Sequence, residues 1–197
     1  MQLRRVGADA LLIEVDNPLD WFAALDAERG AGRLAVVDIV PGARTVLLDG
    51  VSDPVRLAAR LRDWSIDPAA VPHEPPIVVD VRFDGVDLPF VAEHAITTVD
   101  AVVGALTGTE LTVAFCGFAP GFAYLRGLPW SVPRLEEPRT QVPAGSVALA
   151  AEFAGIYPTP SPGGWRIVGH SDADLFDVDK KPPALLTPGR SVRFRAA

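Results

Sequence analysis

The chain has 197 residues, which is enough for one large domain or for two small domains that each bury a hydrophobic core. Its formal net charge is −7 and no basic stripe occurs along it, which argues against nucleic acid as a partner. No apolar run approaches the ~18 residues of a membrane span, so we expect a soluble globular protein that does not enter a membrane.

The first predicted elements alternate between strands and helices. A compact apolar run at residues 10–15 predicts a strand. Asn17-Pro18 then predicts a helix start, because asparagine can cap free backbone N–H groups and proline presets the helical φ. Residues 34–40 and 46–49 predict two strands joined by a Pro-Gly turn.

A second capping signal, Asp53-Pro54, predicts a second helix, and residues 77–83 read as a final strand. The order β-α-β-β-α-β is that of a ferredoxin-like domain, which we place at residues 1–84. Residues 67–76 contain four prolines and are either a domain linker or a loop. We favour the loop, because the first sheet needs the strand at residues 77–83 to be complete.

The second half begins with helices and continues with short strands. Residues 87–95 predict one helix, and Thr98 is expected to cap another that buries apolar residues up to Leu106. From residue 111 onward, short apolar runs are separated by glycine and proline, which predicts a small β-barrel or sandwich over residues 85–197. The expected strands are residues 111–118, 146–151, 165–170 and 191–195.

The segment 115–165 is dense in turn residues. It holds seven glycines and eight prolines, interleaved with aromatic residues that a disordered segment would lack. Fixed backbone angles and large rings together indicate loops with one conformation, and such loops commonly line sites. The alternative is a purely structural corner of a barrel.

Known catalytic motifs are missing from the sequence. Neither a G-x-x-x-x-G-K-[ST] loop nor a G-x-G-x-x-G turn is present, so no familiar nucleotide fingerprint applies. The histidines, His73, His94 and His170, lack metal-ligand spacing, so no metal site is expected. Ser146 lacks the G-x-S-x-G context of an activated serine and reads as a turn or strand-start residue.

The single cysteine, Cys116, lies in an apolar strand. One cysteine cannot form an internal disulfide, and the first residues lack the pattern of a secretory signal, so we expect a cytoplasmic protein. A nucleophilic cysteine needs a lowered pKa and a neighbouring base. The apolar context favours a small buried hydrophobic residue instead.

Two residues are candidates for catalysis. Arg139 lies between Pro138 and Thr140, and its planar guanidinium suits bidentate contact with a carboxylate or amide, although a surface arginine is the alternative. His170 ends a predicted strand two residues before Asp172, where side chains can face the mouth of a pocket. A histidine hydrogen-bonded to nearby backbone is the simpler explanation.

Several strings in the second half closely resemble one family in the same order. That family is the KipI family, which includes the first subunit of allophanate hydrolase and the B subunit of 5-oxoprolinase, and is also described as carboxyltransferase domain subdomains C and D. The strings are residues 117–125 (GFAPGFAYL), Pro138-Arg139, 142–147 (VPAGSV), 155–158 (GIYP) and 161–165 (SPGGW), followed by Pro188-Gly189 and residues 192–194.

The resemblance implies a ferredoxin-like first domain and a cyclophilin-like β-barrel second domain. It also implies a partner, a KipA-like second subunit (the second subunit of allophanate hydrolase or the C subunit of 5-oxoprolinase), with a third subunit in some complexes. Such complexes cleave an amide or lactam with ATP as co-substrate, and no metal or organic cofactor is implied for this chain. One member of the family instead inhibits a sensor histidine kinase.

The sequence departs from the family pattern in two places. Many relatives have a Cys-Tyr-x-x-x-x-Gly-Pro-Asp stretch before the first helix of the second domain, where this chain reads 81–87 (VRFDGVD). Relatives often carry a histidine near the end of the second helix, where this chain has Leu106. If either feature takes part in chemistry, its loss favours a changed or non-catalytic role.

Three functions follow as hypotheses. The first is the B subunit of a multi-subunit ATP-dependent amide or lactam hydrolase, inactive alone, whose pocket is shared with the KipA-like subunit. The second is a non-catalytic inhibitor of a histidine kinase, and the third is a peptidyl-prolyl isomerase, suggested only by the barrel. For the first, Arg139 and His170 are the predicted catalytic residues. The predicted substrate-binding residues are Phe118, Pro120, Gly121, Phe122, Tyr124, Pro143, Ser146, Tyr157, Gly163, Gly164 and Trp165.

Overall fold

The computed structural model describes residues 1–66 and 74–197. The chain forms two compact units, Met1–His73 and Glu74–Ala197, each with its own hydrophobic core. Both units combine helices with sheets, which confirms the predicted α+β class. His73 and most of the proline-rich segment lie outside the described residues, so the prediction of a loop there is not addressed.

The first unit contains four strands and two helices in its described residues. They are β1 (Gln2–Val6), β2 (Ala10–Glu14), α1 (Pro18–Gly30), β3 (Asp38–Pro41), β4 (Thr45–Asp49) and α2 (Pro54–Arg62). The sheet is antiparallel, in the order β1-β2-β4-β3. Both helices contribute to the core of this unit, and Trp21 and Trp64 meet edge to face with ring centroids 5.6 Å apart.

The two helix caps predicted in the first unit behave differently. The Asp53 carboxylate accepts a hydrogen bond from the Arg56 N–H at 2.9 Å, as the sequence predicts. The Asn17 side chain makes no capping bond, and α1 begins with Pro18 in its first turn. Proline itself lacks an N–H, which removes one of the unsatisfied donors that a cap would serve.

The prediction for the last strand of the first sheet is wrong. Residues Ile77–Val81 form a strand of the second unit, β5, which pairs in parallel with a later strand, β13. The strand that pairs with the free side of β2 is instead β1, which was missed because most of its residues are exposed and show no apolar alternation. The described elements of the first unit therefore follow the order β-β-α-β-β-α, and the second unit begins at residue 74, whereas the predicted second domain begins at residue 85.

The second unit contains nine strands and two helices in its described residues. They are β5, α3 (Leu88–His94), α4 (Val99–Gly108), β6 (Leu111–Cys116), β7 (Ala123–Arg126), β8 (Arg139–Val142), β9 (Ser146–Ala150), β10 (Phe153–Ile156), β11 (Ser161–Gly163), β12 (Arg166–His170) and β13 (Ser191–Ala196). Seven of these strands make one mixed sheet, in the order β12-β9-β10-β7-β6-β13-β5. Strands β11 and β8 form a separate two-stranded ribbon.

The large sheet is nearly closed into a barrel. Arg82, which follows β5, exchanges two backbone hydrogen bonds of 2.8 Å with His170 at the end of β12. This bridge joins the first strand of the sheet to the last, so little of either edge is left unpaired. The four strands predicted after residue 110 are present in this unit, while the short strands β7, β8, β10 and β11 were missed.

Helices α3 and α4 pack against the barrel core. Val91, Val102 and Leu106 are fully buried, and the Thr98 hydroxyl accepts a hydrogen bond from the Ala101 N–H at 3.2 Å. Among the described residues, no single helix is long and apolar enough to cross a membrane. By length and composition alone, α3 and α4 pass that test only as a pair bent by 90°.

Candidate functional site

An aromatic cavity of about 250 Å³ opens on the second unit. This is slightly below the range of about 300–1,000 Å³ usual for drug-sized ligands, so it suits a molecule the size of an amino acid. Its lining is mostly rings, with one cationic side chain. The lining residues are Phe118, Phe122, Tyr124, Arg134, Ala150, Ala151, Phe153, Tyr157, Pro162, Gly163 and Trp165.

Phe122 is the centre of the aromatic wall. Its ring is 2 % exposed and meets Tyr124, Tyr157 and Trp165 edge to face, with centroids 5.1 to 5.4 Å apart. Edge-to-face pairs are each worth about 0.5–1.5 kcal/mol beyond the area they bury. The wall is therefore a packed cluster whose rings hold one another in place.

Tyr157 is fixed from its backbone and from its ring. Its carbonyl accepts from the Gly145 N–H at 2.7 Å, and its N–H donates to the Ser146 carbonyl at 3.0 Å. The hydroxyl lies so close to Gly163 that a Cβ at that position would overlap it. Position 163 therefore requires glycine for space.

Two residues of the cavity hold uncommon backbone conformations. Phe118 has φ +71° and Ala151 has φ +50°, and they are two of the three non-glycine residues with positive φ among those described. Such conformations cost of order 1–3 kcal/mol each and concentrate at functional sites. The Phe118 side chain lines the cavity and is 62 % exposed, so this uncommon backbone conformation places a ring at the rim of the cavity.

The two tyrosines of the cavity are weaker acids than free tyrosine. Burial raises the pKa of Tyr157 and that of Tyr124, and the positive charge of Arg134 opposes the rise at both. Both hydroxyls are therefore protonated at neutral pH. They can donate or accept a hydrogen bond, but they are poor general bases.

Arg139 does not line the cavity; it is engaged in an ion pair. Its Nη2 donates to both carboxylate oxygens of Asp87 at 2.9 and 3.0 Å, and its Nη1 donates to the Trp165 carbonyl at 3.3 Å. Asp87 is buried and also accepts from the Ile167 N–H at 2.6 Å. The guanidinium predicted to grip a ligand thus joins the start of α3 to the chain beside the cavity.

His170 also lies outside the cavity lining. Its Nε2 is 3.2 Å from Asp172 Oδ1, and Arg82 donates to the other Asp172 oxygen at 2.9 Å. Arg82 is the main reason that the pKa of Asp172 is below its usual value, and His170 lowers it further. The two predicted catalytic residues, Arg139 and His170, therefore belong to separate polar clusters, each with its own carboxylate.

The predicted ligand residues divide into two groups. Six of them line the cavity: Phe118, Phe122, Tyr124, Tyr157, Gly163 and Trp165. The other five are not part of the lining: Pro120 and Gly121 lie in a turn, Pro143 and Gly164 lie in connecting segments, and Ser146 begins β9. Ser146 is 3 % exposed, so its hydroxyl is not available to a ligand at the surface.

Cys116 has the properties of a buried thiol. It packs beside the core of the second unit, its Sγ donates to the Leu186 carbonyl at 3.4 Å, and burial raises its pKa to about 11. The described residues contain no group of three or more His, Cys, Asp or Glu side chains arranged to hold a metal. His94, the third histidine of the chain, stacks on Phe90 and bonds the Ser131 carbonyl at 3.0 Å.

Two residues were missed by the sequence reasoning. Arg134 is the only cationic side chain among the described residues of the cavity lining, and Asp87 holds Arg139. Arg134 follows a proline five residues before the arginine that was selected, so proximity in sequence was a usable signal. Asp87 is separated from Arg139 by 52 residues, and only the fold shows the pairing.

All of the first unit and most of the second match one family model. The family is the carboxyltransferase domain, subdomain C and D, and the match covers residues 1–186. The chain belongs to this family. The predicted resemblance is therefore confirmed.

Two 5-oxoprolinase B subunits are similar to this chain over most of its length. The B subunit of 5-oxoprolinase from Escherichia coli O157:H7 is 36 % identical over 203 residues, which covers 96 % of this chain and 93 % of the relative. The B subunit of 5-oxoprolinase from Bacillus subtilis strain 168 is 37 % identical over 141 residues, covering 71 % and 58 % respectively.

Solved structures share the fold. TTHA0988 superposes with a TM-score of 0.80 at 30 % identity over 100 % of this chain, which spans 41 % of the length of TTHA0988. The conserved protein PH0987 of Pyrococcus horikoshii matches with a TM-score of 0.59 at 30 % identity, covering 100 % of this chain and 97 % of that one. The urea amidolyase of K. lactis, at 17 % identity and a TM-score of 0.73, shares the fold over 99 % of this chain and 15 % of its own length.

The structure gives roles to two residues of the stretch 81–87, where the sequence departs from the predicted family pattern. They are Gly85 and Asp87. A Cβ on Gly85 would collide with the backbone of Ile167 and Val168, and the Asp87 carboxylate binds Arg139. The other departure, Leu106, is fully buried in the core, where it packs as an apolar residue.

Proposed function

We propose that this chain is the B subunit of an ATP-dependent amide or lactam hydrolase of the 5-oxoprolinase or allophanate hydrolase type. The observation that carries the proposal is the aromatic cavity with its single cation, Arg134, in a chain similar to curated 5-oxoprolinase B subunits. The cavity has the size and the mixed apolar and cationic lining that a small lactam or amide acid requires. The chain functions in the cytoplasm under this proposal.

The cavity supplies binding groups but few reactive ones. Among the described residues of its lining, the ionisable ones are Tyr124, Arg134 and Tyr157. Burial raises the pKa of both tyrosines, so they are poor bases at neutral pH, and a guanidinium offers hydrogen-bond donors but no acceptor. Hydrolysis of a stable lactam needs an activated carbonyl oxygen and a positioned water or leaving group. We therefore assign those groups to a KipA-like subunit that completes the site, with a third subunit in the full complex.

ATP serves as co-substrate of the assembled complex. Transfer of the γ-phosphoryl group of ATP to the lactam oxygen activates the carbonyl carbon, and a water molecule adds to that carbon. The C–N bond then breaks as the ring nitrogen takes up a proton and leaves as the amine, and a second water hydrolyses the resulting acyl phosphate to the carboxylate and inorganic phosphate. Protein donors stabilise the oxyanion that develops. The chain carries no phosphate-binding loop, so the phosphates bind on another subunit or across the interface.

Arg139 and His170 take supporting roles in this proposal. The Arg139 guanidinium is bound to Asp87 and to the Trp165 carbonyl. Arg139 therefore positions the Trp165 segment of the cavity wall, and other groups bind the substrate. His170 closes the barrel through its backbone bridge to Arg82. The description of this barrel as cyclophilin-like stays a prediction.

Reconstitution tests the proposal directly. The chain is combined with a KipA-like subunit and the third subunit from the same source, and each mixture is supplied with ATP and 5-oxoproline or allophanate. We expect glutamate or ammonia to form only when this chain is present, with one ADP released per molecule of 5-oxoproline consumed. Absence of product from every complete mixture would contradict the proposal.

Inhibition of a histidine kinase is the second candidate. It is favoured by exposed apolar side chains on the second unit, since Phe118 is 62 % exposed and Val178 is 77 % exposed. Loss of kinase autophosphorylation on addition of the chain, and its recovery with Val178→Ser, would support this function. A kinase activity unchanged by the chain would argue against it.

A further inference from the structure

Arg134 is placed over the aromatic cavity by a strap of backbone hydrogen bonds. Val132 and Ala151 exchange two bonds of 2.7 and 2.9 Å, and the Leu135 N–H donates to the Gly164 carbonyl at 2.7 Å. The Pro133 carbonyl accepts from Arg166 at 3.2 Å. The backbone is therefore fixed on both sides of Arg134, which aims one long side chain at the cavity.

The charge of Arg134 is available to a ligand. Arg139 and Arg166 both lie against the buried Asp87 carboxylate, whereas no described carboxylate lies within ion-pairing distance of Arg134. Its side chain lines the cavity but is exposed, so a small molecule can reach the guanidinium. An arginine that has a fixed backbone, and whose guanidinium has no carboxylate partner among the described residues, is suited to bind the carboxylate of a ligand.

The surroundings of Arg134 fit a ligand with an apolar ring and an acid group. Phe122, Tyr124 and Trp165 give an apolar wall of rings packed edge to face, and the Tyr157 hydroxyl adds a protonated donor beside it. The positive charge of Arg134 lowers the pKa of Tyr124 and of Tyr157, against the larger effect of burial, because the guanidinium lies near both hydroxyls. The carboxylate of such a ligand would meet Arg134, its ring would lie on the aromatic wall, and its polar edge would meet the Tyr157 hydroxyl.

We infer that Arg134 binds the carboxylate of a small cyclic or linear amide acid, whose apolar part lies on the aromatic wall. The choice of an amide acid as the ligand rests on the proposed function, whereas carboxylate binding at Arg134 rests on the geometry. Arg134 is in this view the specificity residue of the cavity, the role that the sequence had suggested for Arg139.

The test compares two ligands that differ only in the acid group. The full chain is titrated with 5-oxoproline and with 2-pyrrolidinone, the same lactam ring without a carboxylate, while the amide signals of Gly163 and Trp165 are followed by NMR. A charge-assisted contact predicts that 5-oxoproline binds about tenfold to a hundredfold more tightly. Equal affinity, or no binding of either ligand, would overturn the inference.

Two variants assign the preference to Arg134. Arg134→Gln is expected to bind both ligands equally weakly, and Arg134→Lys to keep part of the preference, because a point charge replaces a bidentate fork. The matched control is Arg126→Gln, since Arg126 lies 5.6 Å from the centroid of the Phe153 ring but does not line the cavity. A preference that survives in Arg134→Gln would overturn the assignment.

Binding by the isolated chain and hydrolysis by the reconstituted complex together separate this inference from the proposed function. Carboxylate-dependent binding that Arg134→Gln abolishes supports the inference even if no reconstituted complex hydrolyses 5-oxoproline. Hydrolysis by a complex whose KM for 5-oxoproline is unchanged in Arg134→Gln would support the function and overturn the inference.

Discussion

Asp87 shows how one carboxylate organises the chain around the cavity. It accepts two hydrogen bonds from Arg139 and one from the Ile167 backbone, and Arg166 lies 3.9 Å away. These partners come from β8 and β12, so the carboxylate ties the start of α3 to two separate strands. A buried acid with several donors is stabilising only while all of them stay in place.

Substitution of Asp87 should therefore be costly. Asp87→Asn removes the charge that Arg139 needs, and we expect the free energy of unfolding of the second unit to fall by about 1.5–3 kcal/mol. Chemical denaturation measures the change. The control is Asp84→Asn, outside this ion pair, which should change stability by less than about 0.5 kcal/mol. Equal effects of the two substitutions would show that the ion pair contributes nothing.

Neighbouring glycines give a second test at the scale of one residue. A methyl group on Gly163 would overlap the Tyr157 hydroxyl, while one on Gly164 would meet its nearest atoms at 3.6 Å, an ordinary contact. We expect Gly163→Ala to lower stability by about 1–3 kcal/mol and to shift the ring signals of Tyr157, because the wall must move. Gly164→Ala should leave both nearly unchanged. Similar effects at both positions would contradict the packing described for Tyr157.

The thiol of Cys116 should react slowly. Burial raises its pKa to about 11 from an ordinary value of 9.0, so the folded chain holds far less thiolate near pH 8 than the unfolded chain does. We expect alkylation by iodoacetamide at pH 8 to be about tenfold to a hundredfold slower in the native protein than in urea. Comparable rates would show an accessible, activated cysteine.

The same shift has a consequence for stability. Because the folded pKa of Cys116 is the higher one, the native state binds more protons between pH 9 and pH 11. The contribution of this group to stability is therefore fully present below pH 9 and is lost as the pH rises toward 11. Cys116→Ala should remove that part of the pH dependence, as urea unfolding at about pH 8 and about pH 10.5 would measure.

At the scale of elements, β5 decides where the second unit begins. Val79 and Val81 are buried in the same core as Phe194, and Arg82 closes the barrel onto His170. We expect a fragment of residues 74–197 to unfold cooperatively. A fragment of residues 85–197 lacks β5 and should expose the edge of β13 and aggregate. Equal stability of the two fragments, measured by circular dichroism during heating, would contradict this boundary.

Much of the fold could be predicted from local patterns. The helices followed from capping residues and apolar spacing, and four of the barrel strands followed from apolar runs between turns. Strand partners could not be predicted, because the alternation in Ile77–Val81 fits an edge of either sheet equally well. The strand Gln2–Val6 was missed because its polar residues resemble those of a loop.

The cavity was predicted better than its polar residues. Aromatic residues among glycines and prolines marked the wall, since only a fixed loop can bring such rings together. The role of each arginine depends on where a carboxylate lies in space, which the sequence does not show. Arg139 was predicted and Arg134 was missed; the structure pairs Arg139 with Asp87 and places Arg134 in the cavity lining.

At the scale of the molecule, the second unit carries an aromatic cavity that we propose to be one part of a shared site. The rim residue Phe118 is strained and exposed, which suits a position where a ligand or a further protein completes the site. Burial raises the pKa of both tyrosines of the lining, so neither hydroxyl is a general base at neutral pH. Under the proposed function, the reactive groups come from the partner subunit.

The most direct measurement is the ATP-dependent formation of glutamate from 5-oxoproline by the reconstituted complex with Phe118→Ser, compared with Val55→Ser. Both side chains are apolar and similarly exposed, at 62 % and 61 %, but only Phe118 lines the cavity. We predict that Phe118→Ser lowers kcat/KM by about tenfold or more at unchanged stability, since it removes a ring from the site, while Val55→Ser stays within about twofold of the unsubstituted chain. Equal activities of the two variants would contradict the assignment of this cavity as the working site.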